Sequence, residues 1–292
     1  MRVLCTCPPM IQTLSVVDGI EWIVPDFVQE VSQETLKELV PTCDAWVIGD
    51  ELVTREMIQL GQSGKLRKMI RWGIGVNNVD VAACKELNMP FTNTPGVFNN
   101  EVADVAMGYI VCGLRELMQI HEKNRSGEWY KPRGRSLWAC KVCIVGYGNI
   151  GKEIGKRAKA FGMTVVPVDP YIADTVSFNE GIRDVDVVVL SCAATPENKH
   201  LICQESLSRM KGGVYIVNVA RGSLIHEDDL LAAMESGHVS GAALEVFEKE
   251  PLVKQTVQAH PRLILGSHNA SNTQEGVEKT NDLVIQFLNK SI

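Results

Sequence analysis

Short apolar runs alternate with amphipathic stretches along the whole chain. Arg2–Cys7 reads as a strand that ends at Pro8-Pro9. Ala45–Gly49 reads as a second, and Met69–Trp72 as a third that closes on Gly73-Ile74-Gly75. Between them Gln33–Leu39 and Thr54–Leu60 carry the apolar spacing of helices. Pro90–Gly96 is rich in turn residues and is the best domain boundary the pattern offers. Val102, Ala103, Ala106, Ile110, Leu114 and Leu117 then predict one long helix from about Asn100 to His121, with Asn99 or Asn100 as its N-cap.

A polar segment, Glu122–Arg135, follows; Trp129 and Tyr130 within it suggest packing against another subunit. From Lys141 the alternation is regular. Strands are predicted at Val142–Val145, Thr164–Val168, Val185–Leu190, Val214–Val219, Val239–Leu244 and Leu263–Leu265. Helices are predicted at Ile150–Phe161, Gln204–Arg209, Glu227–Ser236 and Thr273–Leu288. Apolar, β-branched strands that alternate with helices imply a parallel sheet covered on both faces.

Composition narrows the class. At 292 residues the chain suits one large domain or two smaller ones. Its 45% hydrophobic and 22% charged content excludes a disordered chain. No run approaches the ~18 apolar residues of a membrane helix. A formal charge of −6 argues against nucleic-acid and membrane-surface partners. The apolar stretch at the N-terminus is too short for a signal-peptide core, so the expected location is cytoplasmic. Nine scattered cysteines fit a reducing compartment. Cys140-Lys-Val-Cys143 has redox or zinc spacing, but it falls on a predicted strand and no second pair stands at zinc spacing; no metal is expected.

Val142-Cys-Ile-Val-Gly146-Tyr-Gly148-Asn149-Ile150-Gly151 is a strand running into G-x-G-x-x-G and then a helix. Gly146 permits the tight turn, Gly148 lets the backbone approach a pyrophosphate, and Gly151 lets helix and strand pack closely. The phosphates then rest on the helix N-terminus. A second strand, Thr164–Val168, ends in Asp169 about 20 residues on, where a ribose contact is required. Asp169 would accept bonds from a ribose 2′-hydroxyl and repel a 2′-phosphate, and no Arg follows it, so NAD is expected rather than NADP.

Three polar residues stand just after later strands: Arg221, Glu250 and His268. Ligands of doubly wound sheets bind at the carboxyl ends of strands. Arg can clamp a carboxylate bidentately, and His can pass a proton to or from a carbonyl oxygen. Glu beside that His would favour its charged form and orient it. Together they suit reduction of a 2-oxo acid by NADH. Each also has a plainer reading: a surface charge at a strand end, a solvated loop acid, a structural turn histidine.

Several ordered segments resemble the D-isomer-specific 2-hydroxyacid dehydrogenase family over nearly the full length. They are Arg71–Asp80, Asn93–Gly96 with Glu101–Asp104, Val145–Gly151, Thr195–Leu201, Asn218–Gly222 and Gly241–Pro251. The resemblance implies two Rossmann-like doubly wound domains with the active site in the cleft between them. A substrate-binding domain would comprise residues 1–94 and 270–292, and an NAD-binding domain residues 95–269. It implies Arg221 at the substrate carboxylate, His268 in acid–base work and Glu250 in support of that His. Backbone around Ile74, Gly75 and Val76 would also hold the carboxylate. Asn149 and Ile150 would lie at the pyrophosphate, Asp169 at the ribose, Thr195 and Ala220 along the cofactor, and Glu245 near the nicotinamide carboxamide. A homodimer through Asn100–Trp138 is also implied.

Two features depart from the family pattern. Glu245 stands where Asp is usual, and Asn269-Ala270-Ser271 follow the His where Ile-Gly-Gly or Ile-Gly-Ala is usual. Overall likeness leans toward the phosphoglycerate dehydrogenase branch. A phosphorylated substrate would want extra cations, for which Arg71, Arg55 and the Lys131–Arg135 cluster are candidates. The alternatives are a hydroxypyruvate or glyoxylate reductase and, in a different class, an NAD-sensing corepressor-like binding protein.

Overall fold

The computed structural model describes residues 1–27 and 30–290. The chain divides into two compact units, one of Met1–Phe98 together with the segment from Asn272 onward, the other of Asn99–Ser271. Each is built on its own parallel sheet.

In the first unit β1 (Arg2–Cys5), β2 (Glu21–Ile23), β3 (Ala45–Ile48), β4 (Lys68–Arg71) and β5 (Phe91–Asn93) lie in the order β2-β1-β3-β4-β5, every pair parallel. All four residues of β3 are buried, as a central strand covered on both faces requires. Helices Gln33–Leu39, Arg55–Ser63 and Val81–Glu86 start at Ser32, Thr54 and Asp80, whose side chains each accept a backbone N–H one turn on. Their apolar faces close a core around Leu4, Leu36, Trp46, Ile48, Ile58 and Met69. The C-terminal helix Gln274–Asn289 belongs here too: buried Lys68 donates to the carbonyls of Leu288 (2.7 Å) and Lys290 (2.9 Å), placing a cation at the negative end of the helix.

In the second unit β6 (Lys141–Val145), β7 (Thr164–Val168), β8 (Val187–Leu190), β9 (Val214–Asn218), β10 (Val239–Leu244) and β11 (Leu263–Leu265) take the order β11-β10-β9-β8-β6-β7, again all parallel. The strand order reverses between β6 and β8. That is where a doubly wound sheet opens a crevice at its carboxyl edge. Cys143 is a core residue of β6, its thiol pushed up to about 12 by burial. Cys140, the residue before that strand, is also buried, and its thiol donates to Ser136 O at 3.3 Å.

Two expectations need correction. The helix predicted over 100–121 is broken into Asn99–Leu114 and Leu117–Arg125, with Glu116 in the left-handed region at φ 53°. The returning segment takes a helix-end carbonyl: Arg135 N–H donates to Leu114 O at 2.8 Å. Gly113, one residue before the first helix ends, is a faint mark of this break, and the apolar spacing runs straight through it. The turn-rich stretch 90–96 contains the edge strand β5, and the chain leaves the first unit only after Phe98. Strands β2 (Glu21-Trp22-Ile23) and β5 (Phe91-Thr92-Asn93) have three residues each with polar members, so neither stands out as an apolar run.

One buried carboxylate fastens the segment before β6 to the second sheet. Asp186, 3% exposed, accepts from Arg135 (2.6 Å), from Lys211 (2.7 Å) and from the backbone N–H of Lys141 (2.7 Å). Burial alone would raise its carboxyl, but the Lys211, Arg135 and backbone hydrogen bonds outweigh that and hold it at about 2. A depressed carboxylate stabilises the fold above its ordinary range and loses that stabilisation as pH falls toward 2. Asp186→Asn should therefore cost about 2 kcal/mol near neutral pH. Urea unfolding should show the deficit at pH 7 and a smaller one at pH 3; an equal deficit at both would contradict the assignment to charge.

Candidate active site

The glycine turn after β6 has the geometry of a dinucleotide cradle. Gly146 adopts φ 91°, and a side chain there would also strike the Cys192 backbone. A Cβ on Gly151 would strike the Gly146 carbonyl, so this glycine lets the helix Asn149–Ala160 approach the turn. Gly148 differs: a Cβ there would meet nothing within 4 Å. Its bare backbone faces open space at the helix N-terminus, the space a pyrophosphate needs. Asn149 and Ile150 form the first helical turn at that point.

Asp169 directly follows β7. Its two carboxylate oxygens accept backbone N–H bonds from Tyr147 and Tyr171, both at 2.9 Å. These bonds fix the carboxylate beside the glycine turn, where it can meet a ribose diol. Thr195 lies on an exposed turn closed by its N–H to Asn198 Oδ1 at 2.8 Å. Ala220 is buried just after β9, its N–H bonded to Asn218 Oδ1 at 3.0 Å. Removing the repulsive carboxylate should relax cofactor choice: for Asp169→Ala the ratio of kcat/KM for NADH over NADPH should fall by about 10- to 100-fold. An unchanged ratio would remove Asp169 from that role.

The three chemical residues come from the carboxyl ends of neighbouring strands. Arg221 follows β9, and its Nη1 donates to Ala220 O at 2.6 Å. Asn218, fully buried, fixes this corner: its amide donates to Arg221 O at 2.9 Å while its carbonyl oxygens accept from Ala220 and Glu245. The following Gly222 has no room for a Cβ against the Phe247–Glu248 backbone, so the segments carrying Arg221 and Glu250 touch.

Glu250 Oε2 meets His268 Nδ1 at 2.6 Å, and Glu250 Oε1 accepts from Phe247 N at 3.0 Å. Partial burial pushes the Glu250 carboxyl up, but the His268 bond and charge, the Phe247 N–H and the Arg221 charge together hold it below its ordinary value. It is therefore an anion at neutral pH. An ionised carboxylate only accepts, so His268 Nδ1 carries the hydrogen and Nε2 is the nitrogen left for proton exchange. His268 itself is left-handed, φ 56°, a conformation that costs a non-glycine residue about 1–3 kcal/mol.

Glu245, one residue after β10, is 3% exposed. Both of its oxygens are engaged within the chain: Oε2 by the Tyr109 hydroxyl, Oε1 by the N–H groups of Asn269 and Ala270. Tyr109 and Asn218 escaped the sequence reading. Asn218 left a faint signal, a polar residue closing the buried run Val214–Val217. Tyr109 left none, since it sits inside an ordinary helical pattern.

In the first unit, the backbone expected at the substrate carboxylate follows β4. Gly73, at φ 128°, exchanges bonds with Thr94 (2.8 and 3.1 Å), and Asn93 donates to Ile74 O at 2.7 Å. The turn holding Ile74, Gly75 and Val76 is thus pinned to β5. Arg71 points into the same turn: its guanidinium bonds the Trp72 carbonyl and pairs with Asp50 at 2.7 Å.

Comparison with known proteins agrees with this geometry. The family model for the D-isomer specific 2-hydroxyacid dehydrogenase NAD binding domain matches residues 107–270. A D-3-phosphoglycerate dehydrogenase of Methanocaldococcus jannaschii is 32% identical over 273 residues, 89% of this chain and 52% of that protein. A hydroxypyruvate reductase of Thermotoga maritima is 30% identical over 276 residues, 90% of each. The chain thus spans about half of the first relative and nearly all of the second. The crystal structure of a glyoxylate reductase from Paecilomyes thermophila superimposes with a TM-score of 0.84 at 29% identity, covering 99% of this chain and 94% of that one. The chain belongs to the D-isomer-specific 2-hydroxyacid dehydrogenase family of oxidoreductases, with NAD as its cofactor.

Proposed function

We propose that this protein reduces a short, unphosphorylated 2-oxo acid, of the hydroxypyruvate or glyoxylate kind, to the D-2-hydroxy acid. The observation that carries the reading is the His268–Glu250 pair at 2.6 Å on the strand ends that also carry Arg221. NADH, when bound, supplies the hydride. Arg221 holds the substrate carboxylate. His268 Nε2 gives its proton to the carbonyl oxygen, and Glu250 stabilises the imidazolium and fixes its orientation. Arg71 shapes the Ile74–Val76 turn through the Trp72 carbonyl. Gly146, Gly148, Asn149, Ile150, Gly151, Asp169, Thr195 and Ala220 line the cofactor.

A phosphorylated substrate would need a spare cation. Of the candidates, Arg71, Arg55 and Arg135 are already paired with Asp50, Glu86 and Asp186, which leaves the exposed Lys131 and Arg133 of the 131–135 segment. The near-complete overlap with the Thermotoga maritima reductase supports the same choice. Phosphoglycerate oxidation is the second reading, favoured by the 32% identity to the Methanocaldococcus jannaschii protein. The test is NADH oxidation with hydroxypyruvate, glyoxylate and phosphohydroxypyruvate side by side. The proposal expects higher kcat/KM for the first two; a clear preference for phosphohydroxypyruvate would install the second reading.

The proposal includes a homodimer through the segment 100–138. Leu117, Met118, Trp129 and Trp138 on that segment are exposed, with Trp129 at 80%. No helix of the described residues is long and apolar enough to cross a membrane. A cytoplasmic location completes the reading.

A further inference from the structure

We infer that Glu245, with Tyr109 behind it, is a positioning residue that holds His268 in its working geometry, and not a contact to the nicotinamide. The inference rests on the assignment of acid–base work to His268. Glu245 grips the His268 loop at consecutive residues. Its backbone carbonyl accepts from His268 N at 2.9 Å, and its carboxylate accepts from Asn269 N and from Ala270 N, the latter at 2.7 Å. The three N–H groups that begin at the left-handed residue are thus all held by one side chain and its own carbonyl. Strain at a single residue persists only where its surroundings over-determine it, and these bonds do so.

The remaining carboxylate oxygen accepts from Tyr109, on the helix Asn99–Leu114, and the residue as a whole is 3% exposed. Partial burial and the neighbouring Glu245 carboxylate raise the Tyr109 hydroxyl well above its ordinary value, so it remains a donor at any working pH. Space for the pair comes from Gly266: a Cβ there would overlap both Glu245 Oε2 and the Tyr109 oxygen. Gly266 N also donates to Leu244 O at 2.8 Å, which ties the start of the loop to β10. Glutamate has one methylene more than the aspartate usual in the family. Here that reach carries the carboxylate to the loop N–H groups.

A nicotinamide contact and a positioning role have different kinetic signatures. Loss of a cofactor contact weakens NADH binding. Loss of a positioning contact lowers kcat and leaves NADH binding alone. A residue that acts through His268 also costs nothing once His268 is gone, because groups that work as a unit are non-additive. The experiment measures kcat with a turned-over 2-oxo acid, NADH Kd by fluorescence, and Tm. The variants are Glu245→Gln, Tyr109→Phe, His268→Ala and the double variant His268→Ala/Glu245→Gln.

Expected for Glu245→Gln is a kcat loss of about 10- to 100-fold, as for a catalytic group displaced by a fraction of an ångström to one ångström. Tyr109→Phe, which removes one hydroxyl and keeps the ring, should lose about 3- to 10-fold. Both should bind NADH as the parent does, and the double variant should be no slower than His268→Ala. Unchanged kcat in both single variants would overturn the inference, as would weakened NADH binding with kcat preserved. A further drop in the double variant would do the same, since it would mark a general structural role. If Glu245→Gln does not fold, Tyr109→Phe and its combination with His268→Ala carry the same comparison. Full turnover in His268→Ala would instead overturn the assignment to His268, and the inference with it.

Discussion

His268→Ala should lower kcat by about 10²- to 10⁴-fold while NADH binds as before. The size follows from what the imidazole does. Reduction leaves charge on the carbonyl oxygen, and Nε2 is the group assigned to neutralise it. Water can replace the proton but not its placement. Binding should survive because the cofactor turn at Gly146–Gly151 and Asp169 lies on β6 and β7, while His268 follows β11. Turnover with NADH Kd measured in parallel checks both halves. Removal of the partner gives a graded version. Glu250→Gln keeps a hydrogen-bonding group at 2.6 Å from Nδ1 but takes away the charge that favours imidazolium.

Arg221→Ala should act chiefly on substrate capture. A guanidinium that clamps a carboxylate makes two charge-assisted bonds worth about 1.5–3 kcal/mol each, so kcat/KM should fall by about 10²- to 10⁴-fold. Most of that should appear as a raised KM, because the carboxylate is present equally in substrate and transition state. Arg221→Lys should recover little: one ammonium cannot reproduce the planar fork. A second effect is built into the site. The Arg221 charge is one of the influences that hold Glu250 below its ordinary value, so its loss should move the Glu250 carboxyl upward. Unaltered kcat/KM in Arg221→Ala would remove it from the substrate site.

Much of the fold can be read in the chain because many of its strands are short apolar runs bounded by turn residues. Thr164–Val168, Val239–Leu244 and Leu263–Leu265 lie where the pattern predicts, and Gln33–Leu39 is a helix over the predicted residues. The cofactor turn is legible for a related reason: strand, glycines, helix and acid are consecutive within one βαβ unit. The supports of His268 are not local. Tyr109 and Glu245 stand 136 residues apart, and no periodicity joins them. The expectation that Glu245 lies at the nicotinamide came from its position in a motif. Its hydrogen bonds depend on a longer side chain and on the space left by Gly266. Asp186 is similar, since a lone acid before a buried run gives no sign of the Arg135 and Lys211 side chains that pair with it. At the break before Glu116 the Leu114 carbonyl accepts from the N–H of Arg135, twenty-one residues further along the chain.

The central claim is that this chain transfers hydride to a 2-oxo acid and delivers the D product. Chiral analysis of the glycerate formed from hydroxypyruvate, with NADH consumption followed in the same tube, tests it most directly. The account predicts D-glycerate in equal amount to the NADH consumed, and almost none with His268→Ala. NADH bound but not consumed with hydroxypyruvate, glyoxylate, pyruvate or phosphohydroxypyruvate would contradict it and turn the reading toward an NAD-sensing protein.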